Sequence, residues 1–95
     1  MQLNYVVLDL ETRESFQEVR AFDPSRLTVS VAGLYDMVTG VERVYRAEQL
    51  PELAEVLRQA PRIVGYNLFG FDYAVLKPVV PFAPYTLPTV DLFDP

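Results

Sequence analysis

The chain has no cysteine and no histidine, and each absence removes a class of chemistry. Without Cys there is no disulfide framework and no thiolate zinc site. Without His, the commonest neutral metal ligand and general base is gone. Any metal must then be held by oxygen, which points to Mg²⁺ or Mn²⁺ rather than Zn²⁺. Basic residues are few as well: eight Lys and Arg against thirteen Asp and Glu, a net charge of −5. That balance argues against an ordinary phosphate-gripping surface. It leaves room for a nuclease, whose acidic centre meets phosphate through metal ions. No apolar run approaches the roughly 20 residues of a membrane span, and the N-terminus lacks a signal-peptide pattern. The expectation is a cytoplasmic protein with no membrane partner. Its 95 residues fit one small domain, 1–95, of the kind that buries roughly 60–65% of its unfolded surface.

What the sequence does contain is an anomaly near its start. VVLDLET reads as a buried strand, yet it holds Asp9 and Glu11. Alternation puts Val6, Leu8 and Leu10 on one face and Val7, Asp9 and Glu11 on the other. The two carboxylates stand side by side, and a divalent cation between them would relieve their repulsion.

Residues 3–11 are predicted as the first strand, and 12–26 as a polar connection in which Phe16, Val19 and Phe22 fold back over the sheet. Leu27 to Asp36 forms a second strand, with Val29 and Val31 on one face and Ser30 and Ala32 on the other. The turn Met37 to Gly40 leads to a third strand, Val41 to Arg46, whose alternating charges suit a sheet edge. The period then becomes helical: Leu50, Leu53, Val56, Leu57 and Ala60 recur at helix spacing, with Pro51 in the first turn. A fourth strand, Arg62 to Asn67, is reached by a helical crossover and so runs parallel to the first. A second helix follows from Leu68 to Lys77, then a Pro-rich link and a last strand, Thr89 to Phe93. The fold class is α/β: three antiparallel strands, then helix, strand, helix, strand. A doubly covered sheet wants a further helix after the last strand. We therefore expect the fold to be C-terminally incomplete at Pro95, and to self-associate through this edge to hide Leu92 or Phe93.

Asp72 is the second anomaly. On a helix from Leu68 its neighbours are Leu68, Phe69, Val75 and Leu76, so the acid falls on the buried face, where it must cap, pair or bind metal. The crossover places it opposite Asp9 and Glu11.

Asp9-Leu10-Glu11-Thr12 on the first strand, with Asn67-Leu68-Phe69-Gly70-Phe71-Asp72 after the fourth, resembles the first two motifs of the DEDD 3′–5′ exonucleases of the ribonuclease H-like superfamily. Within it, the chain resembles bacterial ribonuclease H-like proteins carrying GYN and FDY at this position. The resemblance implies metal-dependent phosphodiester hydrolysis at a single-stranded 3′ end, DNA or RNA, by two Mg²⁺ or Mn²⁺ ions about 3.5–4 Å apart. It also implies roles: Asp9, Glu11 and Asp72 as catalytic metal ligands, and Thr12 and Asn67 on the substrate. Phe71, a core residue, and Asp91 would support them. The third motif, Tyr-x-x-x-Asp or His-x-x-x-Asp, would bring a fourth carboxylate and a residue that orients water. The only such spacing here is Tyr5 to Asp9, inside the first motif. Two further classes stay open: an inactive ribonuclease H-like binding or scaffold module, and a ribonuclease H-like endonuclease or resolvase. Tyr66 and Tyr73 are candidates for stacking on a base, although packing is the commoner role of an aromatic beside a sheet.

Overall fold

The computed structural model describes residues 4–15 and 23–93. The segment holding Phe16, Val19 and Phe22 lies outside the described residues. Five strands form one sheet in the order β3-β2-β1-β4-β5: β1 (Val6–Thr12), β2 (Val29–Asp36), β3 (Val41–Arg46), β4 (Ile63–Gly65) and β5 (Thr89–Asp91). The first three pair antiparallel as a meander, and β4 and β5 add in parallel beyond β1. This is the mixed α/β sheet expected from the sequence, with strand directions consistent with a ribonuclease H-like fold.

Helix α1 (Leu50–Gln59) links β3 to β4. Pro51 occupies its first turn, and Leu50, Leu53, Ala54 and Leu57 line its buried side. The second helix is less regular than its apolar spacing suggests. Leu68–Asp72 forms a wide turn, closed by a bond from the Tyr73 N–H to the Leu68 carbonyl five residues back, and only Tyr73–Leu76 (α2) continues as α-helix. This widening turns Phe69 outward: it is 39% exposed and stacks on Tyr85, whereas Leu68, Val75 and Leu76 are buried.

Val6, Leu8 and Leu10 join Leu53, Leu57, Tyr73, Val75 and Leu76 in one buried cluster, so the helices close that face of the sheet. Val7 is half-buried and Asp9 and Glu11 are exposed on the other. The expected alternation in β2 requires correction. Val29 is buried, but so are Ala32 and Leu34, while Val31 is only half-buried. The cause is a β-bulge: Glu11 pairs with Val31 and Thr12 with Val29, leaving Ser30 as an extra residue that reverses the side-chain parity. At the far edge β5 stops at Asp91, two residues short of expectation, and Leu92 and Phe93 are 60% and 58% exposed. Phe93 meets the exposed ring of Tyr66 edge-on.

Candidate acidic site

Because β4 and β5 run parallel to β1, their carboxyl ends gather at one edge of the sheet, where open α/β sheets commonly hold ligands. Asp9, Glu11 and Thr12 close β1, Asn67 follows β4, and Asp91 ends β5. The side-by-side stance of Asp9 and Glu11 follows from the strand itself. Asp9 faces Gly33 across the β1–β2 pair, so no cross-strand side chain crowds its carboxylate.

Asp72 reaches this edge through a gap in the backbone pairing. The Val6 N–H bonds the carbonyl of Arg62, just before β4, and alternation turns the Leu8 and Leu10 amides the same way. Pairing with β4 is recorded only at Val6 and Val7, because the chain leaves the strand after Gly65 and turns through Asn67. The Leu10 amide is left without a strand partner. The Asp72 carboxylate fills the gap: Leu10 N–H donates to Asp72 Oδ2 at 3.1 Å. Leu10 lies between Asp9 and Glu11, so this bond staples the second acidic segment to the first.

Asp72 is 4% exposed. Burial, opposed by its bond to Leu10 and reinforced by the nearby charges of Asp9 and Asp91, pushes its carboxyl up to about 7. Near neutral pH the site therefore shares itself between a proton and a negative charge. Its donor atoms, all carboxylate oxygens, suit Mg²⁺ or Mn²⁺ in kind. Among the described residues, however, no group of three acidic side chains is gathered closely enough to hold an ion. The charge of Asp9 is felt at Asp72, and Glu11 is exposed two residues further along the same face of β1.

The remaining candidates divide between the site and its frame. Thr12, half-buried, donates its hydroxyl to the Glu14 carbonyl at 3.0 Å. Asn67 adopts a left-handed conformation, φ 57 and ψ 39, one that Asn tolerates better than most residues. Gly70 packs against it so closely that a Cβ there would collide with Asn67 Oδ1. Phe71 packs half-buried against the core. Asp91 is 3% exposed and accepts the amides of Asn67, Phe69 and Phe93. Burial would raise its carboxyl, but these amides and that of Leu68 outweigh burial and hold it below the usual range. Tyr73 is fully buried, with its hydroxyl 2.6 Å from Thr89 Oγ1, so it is no stacking surface. Tyr66, 67% exposed, keeps that possibility. No buried polar side-chain atom among the described residues lacks a hydrogen-bond partner.

One residue of this frame escaped the sequence reading. Gly65 is buried where β4 gives way to the turn, and a Cβ there would lie 2.6 Å from Leu68 Cδ2 and 2.7 Å from its Cγ. Leu68 is fully buried, so its side chain would have to repack within the core. Gly65→Ala is expected to destabilise the fold by about 1–3 kcal/mol through overpacking, read as a lower urea midpoint. An unchanged midpoint would show that the turn yields freely.

No family model matches the chain, and no curated protein matches it either. Among solved structures the chain is similar to the family B DNA polymerase from the hyperthermophilic archaeon Pyrobaculum calidifontis. The identity is 25% and the TM-score 0.57, over 81% of this chain and 11% of that one.

Proposed function

We propose that the chain carries the first acidic strand and second acidic turn of a metal-dependent nuclease of the 3′–5′ exonuclease kind, acting on single-stranded nucleic acid. The observation that carries the reading is the buried Asp72 carboxylate on the Leu10 amide, between Asp9 and Glu11, with its proton affinity raised to about 7. A structural acid would ordinarily be ionised at neutral pH. This one is pushed up chiefly by burial, with the charges of Asp9 and Asp91 adding to it, and holds a proton that a cation can replace. The likeness to part of a DNA polymerase agrees with a nuclease-like fold that handles nucleic acid.

Asp9 and Asp72 would hold the ion, with Glu11 joining them. A bound Mg²⁺ or Mn²⁺ supplies a Lewis acid toward phosphate oxygens and a source of hydroxide at neutral pH. The chain's own part is to aim the carboxylates: the strand pleat sets Asp9, and the Leu10 bond sets Asp72. A second reading, an inactive nucleic-acid-binding module, draws on one specific feature. The 95 residues contain no Tyr-x-x-x-Asp or His-x-x-x-Asp apart from Tyr5 to Asp9.

Thermal melting separates metal binding from its absence. At Mn²⁺ about fivefold above Kd, the gain is about 1 kcal/mol by mass action, or roughly 4–8 °C for a domain of this size. An unchanged melting curve at millimolar Mn²⁺ and Mg²⁺ would remove the site. Comparing end-labelled linear with circular single strands then distinguishes trimming from a 3′ end from internal cleavage.

A further inference from the structure

Asp91 is the second buried carboxylate among the described residues, and the proposed chemistry does not use it. Its Oδ1 accepts from the Asn67 amide at 2.7 Å and the Phe93 amide at 3.0 Å, and its Oδ2 from the Phe69 amide at 3.0 Å. A helical segment ordinarily satisfies its first amides with a side chain at its own N-cap. Asn67 occupies that place but makes no side-chain cap bond. A carboxylate from β5, on a strand more than twenty residues further along the chain, does the work instead.

We propose that Asp91 is a positioning residue for Asp72: by holding the Asn67 and Phe69 amides, it fixes the start of the wide turn and thereby where the Asp72 carboxylate meets the Leu10 amide. Phe69 and Asp72 lie within one turn, closed by the Tyr73 to Leu68 bond, so a displacement at Phe69 is passed directly to Asp72. The second acidic turn is thus tied at both ends, to β5 through Asp91 and to β1 through Asp72. That Asp72 serves a cation rests on the function proposed above; the positioning itself does not.

Amide hydrogen exchange on the ¹⁵N-labelled chain tests this. In Asp91→Asn the amides of Asn67 and Phe69 face a side chain without charge, and Leu10 is expected to exchange about tenfold faster relative to the β2–β3 amides. If Asp91→Asn proves too unstable to fold, Asp91→Ser, a smaller side chain that keeps one acceptor, reads the same ratio. Unchanged exchange at Leu10, or equal acceleration at every amide, would overturn the proposal, since a merely structural role moves all of them together. Mn²⁺ line broadening at Asp9 and Leu10 judges the function separately. Its absence from the wild-type chain would overturn the nuclease reading while the exchange ratio still decides the role of Asp91. Where broadening is present, Asp91→Asn should weaken Mn²⁺ affinity about tenfold, as outer-shell changes do.

Discussion

The wild-type chain is expected to lose stability as pH rises from about 4 to about 7, and Asp72→Asn to lose almost none over that window. In the unfolded chain Asp72 ionises near its ordinary 3.8; in the folded chain it keeps its proton until about 7. Between the two values the folded state binds more protons than the unfolded state, so stability falls with rising pH. The contribution is complete below pH 3.8 and gone above about 7. At about 1.4 kcal/mol for each tenfold change in proton affinity, the loss is roughly 4 kcal/mol as an order of magnitude. Asp91 has the opposite sign, because its carboxyl is lowered: its contribution is present at neutral pH and lost as pH falls below the ordinary carboxylate range. The chain should therefore be most stable in mild acid.

Asp72→Asn is the informative comparison, since Asn has the shape of the protonated acid and its carbonyl still accepts the Leu10 amide. The difference between the two stability curves isolates Asp72 from the other carboxylates. Urea denaturation at intervals from pH 4 to 8 measures it. Parallel curves would show that Asp72 ionises like an exposed acid, and would remove the observation on which the functional reading stands. A divalent cation should also stabilise the wild-type chain more at pH 8 than at pH 5, because at the lower pH it must first displace the proton.

The features legible in the sequence are those fixed by local periodicity. Alternation in VVLDLET separates Leu8 and Leu10 from Asp9 and Glu11, and the apolar spacing of Leu50 to Leu57 draws α1; both follow from side-chain direction alone. The burial of Asp72 was legible because its neighbours on any helix are mostly apolar. What alternation could not show is where it is interrupted. Ser30 is an ordinary strand residue, and its bulge exists because Thr12 pairs with Val29 across the sheet. The wide turn at Leu68 depends on Asn67 entering the left-handed region with Gly65 and Gly70 close by, a conjunction no period records. The link from Asp91 to Asn67 and Phe69 spans more than twenty residues. The sequence placed Asp91 only at the end of the last strand, beside the proposed site.

Asp9→Asn is expected to abolish Mn²⁺ binding while leaving the metal-free chain at least as stable as before. Asp9 is exposed, and the described structure gives its carboxylate no hydrogen bond or ion pair, so the substitution removes nothing that holds the fold. It does remove a charge that helps push the Asp72 carboxyl up. Above pH 7 the variant should gain stability, by no more than about 1 kcal/mol for a group this exposed to solvent. The cost falls on the cation. With Asp9 neutral, Asp72 faces the ion almost alone, and affinity should drop more than about 100-fold, beyond the loss typical of an outer-shell change. Even the wild-type chain is expected to bind the ion weakly and to cleave single strands slowly or not at all. No three acidic side chains among the described residues are gathered into a cage, and the Tyr or His that would orient water has no counterpart at the expected spacing. Calorimetric titration with Mn²⁺ at pH 7.5 compares the two proteins, and a labelled single strand in the same buffer reads cleavage. Wild-type affinity in Asp9→Asn would return Asp9 to an ordinary polar residue at a strand end. Rapid metal-dependent cleavage by the 95-residue chain would mean that a further carboxylate, such as Asp91, completes the ligand set.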